Sequence, residues 1–136
     1  MAVPDLFEPL DPSPFTELIG PVYISTADGV PVLGVRVTAE HANRRGRAHG
    51  GLMMTLADIA VSRASVAMLP PGAAIATADL TISFLESVGQ GQWLEAIPSV
   101  DRQGRALIHA SCELRADQTP VARVLATIAV RLPFPD

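Results

Sequence analysis

Residues 50–69, GGLMMTLADIAVSRASVAML, constrain this chain more than any other stretch. They are rich in Leu, Met and Ala and stop at Pro70-Pro71-Gly72, so they are predicted to form a helix. At about 100° per residue, Leu52, Leu56, Ile59 and Ala60 fall on one side and Met54 and Val61 nearly opposite. A helix apolar almost all round is expected to be buried almost all round. In a chain of 136 residues, one domain by length, that requires a sheet wrapped around the helix.

The flanking sequence supplies the strands. Val22–Thr26 reads as a strand closed by a turn at Ala27-Asp28-Gly29. The run VPVLGVRVTAE puts Leu33, Val35, Val37 and Ala39 on one face and Gly34, Arg36 and Thr38 on the other. After the helix, Ile75–Leu85 alternates with Leu80, Ile82 and Phe84. Gln92–Val100 is weaker, since Pro98 suggests an edge or a bulge. A turn at Asp101–Gly104 leads to Arg105–Arg115, which alternates with Ala106, Ile108, Ala110, Cys112 and Leu114 on one face. A second turn at Ala116–Pro120 leads to Val121–Arg131, with Val124, Ala126, Ile128 and Val130 inward. Residues 1–13 carry three prolines and read as an extended lead-in. Ser13-Pro14 opens a short helix, Pro14–Ile19, that Gly20 ends. The expectation is an α+β fold, residues 14–136 forming a single domain in which five or six antiparallel strands pack against one long helix.

Composition excludes several classes. Hydrophobic residues make up 49%, which argues against disorder. The net charge of −4 does not suit a nucleic-acid-binding surface. No apolar stretch of about 18 residues runs without a charge or proline, and the N-terminus lacks a basic segment before an apolar one, so neither a membrane span nor a signal peptide is expected. The lone cysteine, Cys112, can form no internal disulfide, and no CxxC or His/Cys cluster suggests zinc. Cys112 falls on an apolar strand face and is expected to be buried and inert. A soluble, reducing, cytoplasmic setting fits best. All ten basic residues are Arg, which leaves Arg as the only fixed cation for a phosphate.

The chemistry concentrates around the start of the long helix. A helix N-terminus has unpartnered N–H groups and a positive dipole end. Glycine lets a ligand approach such a backbone closely. Gly50-Gly51 could therefore hold an oxyanion, or could merely ease a tight crossing into the helix. Asp58 adds weight to the first reading. An acid in an apolar helix is costly unless it is paired or functional, and desolvation would make it a plausible general base or nucleophile. The bland alternative is a carboxylate satisfied by Ser62 or Arg63. Eight helical residues span about 12 Å, so one carbonyl cannot touch both Gly50 N–H and Asp58 of one chain. If both act on one substrate, they come from two antiparallel copies across a two-fold axis, and a dimer is required.

The whole segment HANRRGRAHGGLMMTLAD resembles the active-site segment of hotdog-fold acyl-CoA thioesterases of the phenylacetate-degradation type. Asn43, Gly46, His49-Gly50-Gly51 and Leu56-Ala57-Asp58 stand at matching spacing, and the element order matches over about residues 14–132. The resemblance implies the hotdog fold, dimers that often pair into tetramers, and thioester hydrolysis with no metal or organic cofactor. It implies that Asp58 activates water or attacks the thioester, and that Gly50 N–H polarises the thioester oxygen. Asn43 would orient water or the carbonyl, His49 would shape the site, and Thr77 on the strand after the helix would position the acid. Gly51 and the loop arginines Arg44, Arg45 and Arg47 would face the acyl-CoA, with the arginines suited to its phosphates.

Plainer readings stand beside these. Asn43 would otherwise be a turn residue, His49 a helix-start residue satisfied by backbone, Thr77 an ordinary strand residue, and the arginines a solvated loop. Trp93 and Phe84 read as core or interface positions, and His41 and His109 receive no role. Two other functions fit the same fold. A hotdog hydratase or dehydratase usually needs a catalytic His, and the helix after Gly51 has none. A non-catalytic acyl-thioester-binding protein would have no need of Asp58.

Overall fold

In the computed structural model, which describes residues 2–133, the long helix α2 spans Gly50–Val66. It ends three residues earlier than the apolar run. Met68 and Leu69 turn back to Ser65 and Val66 through N–H···O bonds that reach three residues back, ahead of Pro70. The short helix α1, Pro14–Ile19, forms as expected, with Ser13 capping the Thr16 N–H at 3.2 Å. Among the described residues no helix is long and apolar enough to cross a membrane.

Among the described residues seven strands form one sheet: β1 (Glu8–Pro9), β2 (Tyr23–Ser25), β3 (Val32–Arg36), β4 (Ala74–Phe84), β5 (Trp93–Gln103), β6 (Leu107–Ala116) and β7 (Thr119–Arg131). Their order is β1-β2-β3-β5-β6-β7-β4, and every pairing is antiparallel. With α2 packed across β3 to β7, this is the hotdog architecture. The extra strand beyond the expected five or six is the two-residue β1, inside the lead-in. Pattern reading cannot find it because two residues have no period.

The alternation read from the sequence holds through β6 and β7. Ile108, Ala110, Cys112 and Leu114 are buried, as are Val124, Ala126 and Ile128. They meet Leu56, Ala57, Ala60 and Val61 of α2, all fully buried. Burial at Cys112 pushes its thiol up to about 12, which leaves it protonated and unreactive at neutral pH.

Two expectations need correction. First, β5 lies inside the sheet rather than at its edge. Pro98 is tolerated because the pairing of β5 with β3 ends at Ala96, so beyond it only β6 is a ladder partner. The irregularity comes later, between Val100 and Arg102. It lets β5 run through the expected turn to Gln103, and the turn falls at 104–106. Second, α2 is not covered all round. Met54, Thr55, Asp58, Ile59 and Ser62 are only half-buried, and Val66 is exposed. The sheet stops at β4, whose 11 residues pair on one side only among the described residues. One stripe of α2 and one edge of the sheet therefore stay open.

Leu56→Ala should cost about 2–5 kcal/mol, since the residue is fully buried in the core. Leu125→Ala, at a 66% exposed position, should stay within roughly 0.5 kcal/mol of wild type. Urea unfolding of the two variants checks both values.

Candidate active site

The segment before α2 is a loop held by side chains. His41 is buried. Its Nδ1 accepts the Thr38 N–H at 3.0 Å, so Nε2 carries the proton and donates to the Ile19 carbonyl at 2.6 Å. The His41 carbonyl in turn accepts the His49 N–H at 2.8 Å. His41 thus pins the loop to the end of α1. The sequence carries no signal for this, because a lone histidine outside a motif fixes no partner.

Asn43 builds the turn. Its Oδ1 accepts the Arg45 and Arg47 N–H groups at 2.9 and 3.2 Å. Gly46, at φ +77°, supplies the left-handed residue the turn needs. The Asn43 amide nitrogen makes no hydrogen bond to the described residues and stays available as a donor. Arg47 is not free. Its Nη2 donates to Ser87 Oγ at 3.0 Å, and the neighbouring Ala48 N–H reaches the Val88 carbonyl at 2.8 Å. These contacts latch the loop onto the segment after β4. Arg44 and Arg45 remain exposed. With Asn43 and His49 they line an open cleft of about 510 Å³.

At the mouth of α2, His49 is the N-cap, its Nδ1 accepting the Gly51 N–H at 2.8 Å. Both glycines have packing reasons to be glycine. A Cβ on Gly51 would lie 3.0 Å from His49 Nδ1, and one on Gly50 would lie 2.8 Å from Cζ of Phe84. The Gly51 N–H is taken by His49, whereas the Gly50 N–H has no partner among the described residues.

Asp58 sits on the open stripe of α2, two turns further on. It bonds to neither Ser62 nor Arg63. The Thr77 hydroxyl donates to its Oδ1 at 2.6 Å. A bulge in β4 makes this contact possible. Thr77 pairs with Ile128, and after the irregularity between Thr77 and Asp79, Leu80, Ile82 and Phe84 pair with Ala126, Val124 and Ala122. All these partners face the helix. The extra residue, Ala78, switches the alternation from odd to even positions, so Thr77 and Leu80 share the helix side.

The site residues therefore form two groups. Asn43, Arg44, Arg45, His49, Gly50 and Gly51 surround the N-terminus of α2, while Asp58 and Thr77 lie beyond. No three His, Cys, Asp or Glu side chains among the described residues group to hold a metal ion.

A family model for the thioesterase superfamily matches residues 45–122. The chain belongs to the thioesterase superfamily. The match holds Gly50, Asp58 and Thr77, and Asn43 and Arg44 lie just before it. A Pseudomonas aeruginosa protein with only a provisional esterase name is 35% identical over 124 residues, covering 90% of this chain and 92% of its own. Human acyl-coenzyme A thioesterase 13 is 29% identical over 101 residues, 74% of this chain and 71% of its own. The structure of a mutant of the phenylacetic acid degradation protein PaaI from Thermus thermophilus superposes with a TM-score of 0.76 at 26% identity, covering 86% of this chain and 98% of that one. These likenesses agree with the phenylacetate-type thioesterase resemblance carried by the Asn43–Asp58 segment.

Gly50→Ala should destabilise this superfamily member by about 1–3 kcal/mol, because the new methyl meets the Phe84 ring. The cost should shrink in the Gly50→Ala/Phe84→Ala pair relative to the sum of the single changes. A double-mutant cycle by thermal or urea unfolding measures it.

Proposed function

We propose that the protein hydrolyses acyl-CoA thioesters to a free acid and coenzyme A, at sites shared by two copies of the chain. The observation that carries this reading is Asp58, on the open stripe of α2 with its Oδ1 bonded by Thr77 at 2.6 Å. A carboxylate so held, in a member of the thioesterase superfamily, is suited to generate or act as the nucleophile.

The Gly50 N–H of one copy would bind the thioester oxygen as negative charge develops on it. Asp58 of a second copy would take a proton from water, whose oxygen attacks the carbonyl carbon. The C–S bond then breaks and the departing thiolate picks up a proton. Alternatively, the carboxylate attacks first and water cleaves the resulting anhydride. The Asn43 amide nitrogen would orient the carbonyl or the water, and His49 caps the helix that presents Gly50. Gly51 supports this end through its bond to His49 rather than as a donor to substrate. Arg44 and Arg45, both exposed and without side-chain partners among the described residues, are the cations suited to the phosphates of coenzyme A. Arg47, occupied by Ser87, is assigned to holding the loop.

The shared site needs a dimer. Pairing two chains antiparallel would cover the open stripe of α2 and complete the unpaired edge of β4, and dimers could pair further into tetramers. The reaction takes place without metal or organic cofactor, in the cytoplasm.

Thiol release from short, long and aromatic acyl-CoAs tests the reaction. Asp58→Asn should lower kcat by roughly 10²- to 10⁴-fold with the fold intact. Thr77→Ala should lower it by about ten-fold or more, through the lost bond to the charged carboxylate. Near-normal hydrolysis by Asp58→Asn would remove Asp58 from the mechanism. Tight acyl-CoA binding by a wild type that never turns over would make the protein a binding module.

A further inference from the structure

Two clefts meet at the N-terminus of α2, and they differ in charge. One is lined by Arg44 and Arg45 beside Asn43 and His49. The other, about 450 Å³, is walled by Met53, Phe84 and Leu85, and its one charged lining residue among those described is Glu86. Gly50, with its free N–H, lines this second cleft. Phe84 and Leu85 are each 54% exposed. Two adjacent large apolar side chains left half-open at a cleft mouth mark a surface meant to be covered.

Coenzyme A is polyanionic on its thiol side. Its phosphates would be attracted to Arg44 and Arg45, which have no side-chain partners among the described residues, more than to the second cleft, where Glu86 is a carboxylate and the nearby Arg47 is already held by Ser87. A thioester whose carbonyl reaches the Gly50 N–H has two arms leading away from it, and the charges distinguish them. We propose, on the basis of the thioesterase reading above, that the Phe84 cleft receives the acyl group and that Phe84 sets which acyl groups fit. The tip of the Phe84 ring already fills the space a Cβ on Gly50 would need. The ring therefore walls the cleft directly beside the N–H that would hold the carbonyl. An acyl group in this open cleft meets walls of mostly apolar carbon and a carboxylate at Glu86. The substrate class is thus uncharged and apolar, aliphatic or aryl. Acyl groups ending in a carboxylate are rejected by Glu86. Phe84, which the sequence pattern placed among core or interface residues, becomes a specificity-determining residue.

The test uses hydrolysis-proof thioether analogues of acyl-CoA: a series of S-alkyl chains, one phenyl-ended chain and one carboxylate-ended chain. Binding is measured by calorimetry to wild type, Phe84→Ala, Phe84→Leu and Glu86→Gln, and unacylated coenzyme A is titrated as the reference. Phe84→Ala should shift preference toward longer and bulkier chains by about ten-fold or more relative to the shortest, with unacylated coenzyme A unchanged. Phe84→Leu, which keeps an apolar side chain against Gly50 and guards against a variant that fails to fold, should shift it less. Glu86→Gln should improve only the carboxylate-ended analogue. An identical chain-length profile in wild type and both Phe84 variants would overturn the proposal. So would clearly weaker binding of unacylated coenzyme A by Phe84→Ala, because the cleft would then hold the thiol arm. Thioethers report binding without turnover. A wild type that binds them with the expected profile yet hydrolyses no thioester would support this proposal while removing the hydrolase reading. Failure of wild type to bind any analogue would overturn both.

Discussion

A helix is rigid along its axis, and the arrangement of this protein follows from that constraint. Gly50 offers an N–H without a partner among the described residues at the start of α2. Asp58 stands eight residues along the same helix, about 12 Å of rise away. No rotamer of Asp58 closes that gap to a single reacting carbonyl. If the Gly50 N–H and Asp58 act on one carbonyl, as proposed, they can do so only through a second chain. The half-buried stripe of α2 and the edge strand β4, unpaired on its outer side among the described residues, lie beside the acid, so the surfaces left open are those the proposed second copy would use.

The sheet contributes more than a wall for the helix. Without the bulge at Ala78, strict alternation would place Thr77 on the face opposite Leu80, Ile82 and Phe84. The bulge turns Thr77 to the helix side, where its hydroxyl reaches Asp58 at 2.6 Å. The same strand carries Phe84 onto Gly50 seven residues later. β4 thus supports both ends of the site. Packing, rather than ligand approach alone, fixes the glycines there: one makes room for Phe84 and the other for the His49 cap.

Much of this was legible in the sequence, for identifiable reasons. The apolar run of α2 and the alternation of β6 and β7 are long enough to set their period, and burial follows it at Ile108, Cys112 and Val124. Other features depend on three-dimensional neighbours. The apolar positions around α2 imply burial almost all round, but the sheet of a single chain leaves one stripe of the helix open. The acid therefore lies half-buried at a surface instead of deep in the core, and its partner is Thr77 rather than a neighbour on its own helix. The same limit applies to Pro98, which is tolerated inside the sheet because β3 is short. It applies to Arg47, which the loop composition grouped with Arg44 and Arg45 until the contact with Ser87 separated them. The bulge at Ala78 and the pin at His41 leave no periodic trace.

Subunit mixing tests the shared site most directly. Both variants are made in a Phe84→Ala background, which serves as the wild-type reference and leaves room for a Cβ at position 50, and Asp58→Asn removes the acid. Gly50→Pro removes the N–H at the first helical position, where proline is accepted, and His49 already has the extended backbone that a following proline requires. Each variant alone should be inactive. Unfolded together and refolded, they should regain about one quarter of wild-type thiol release, since half of random dimers are mixed and each mixed dimer has one intact site of two. Mixed, folded dimers that remain inactive would contradict a site shared between chains.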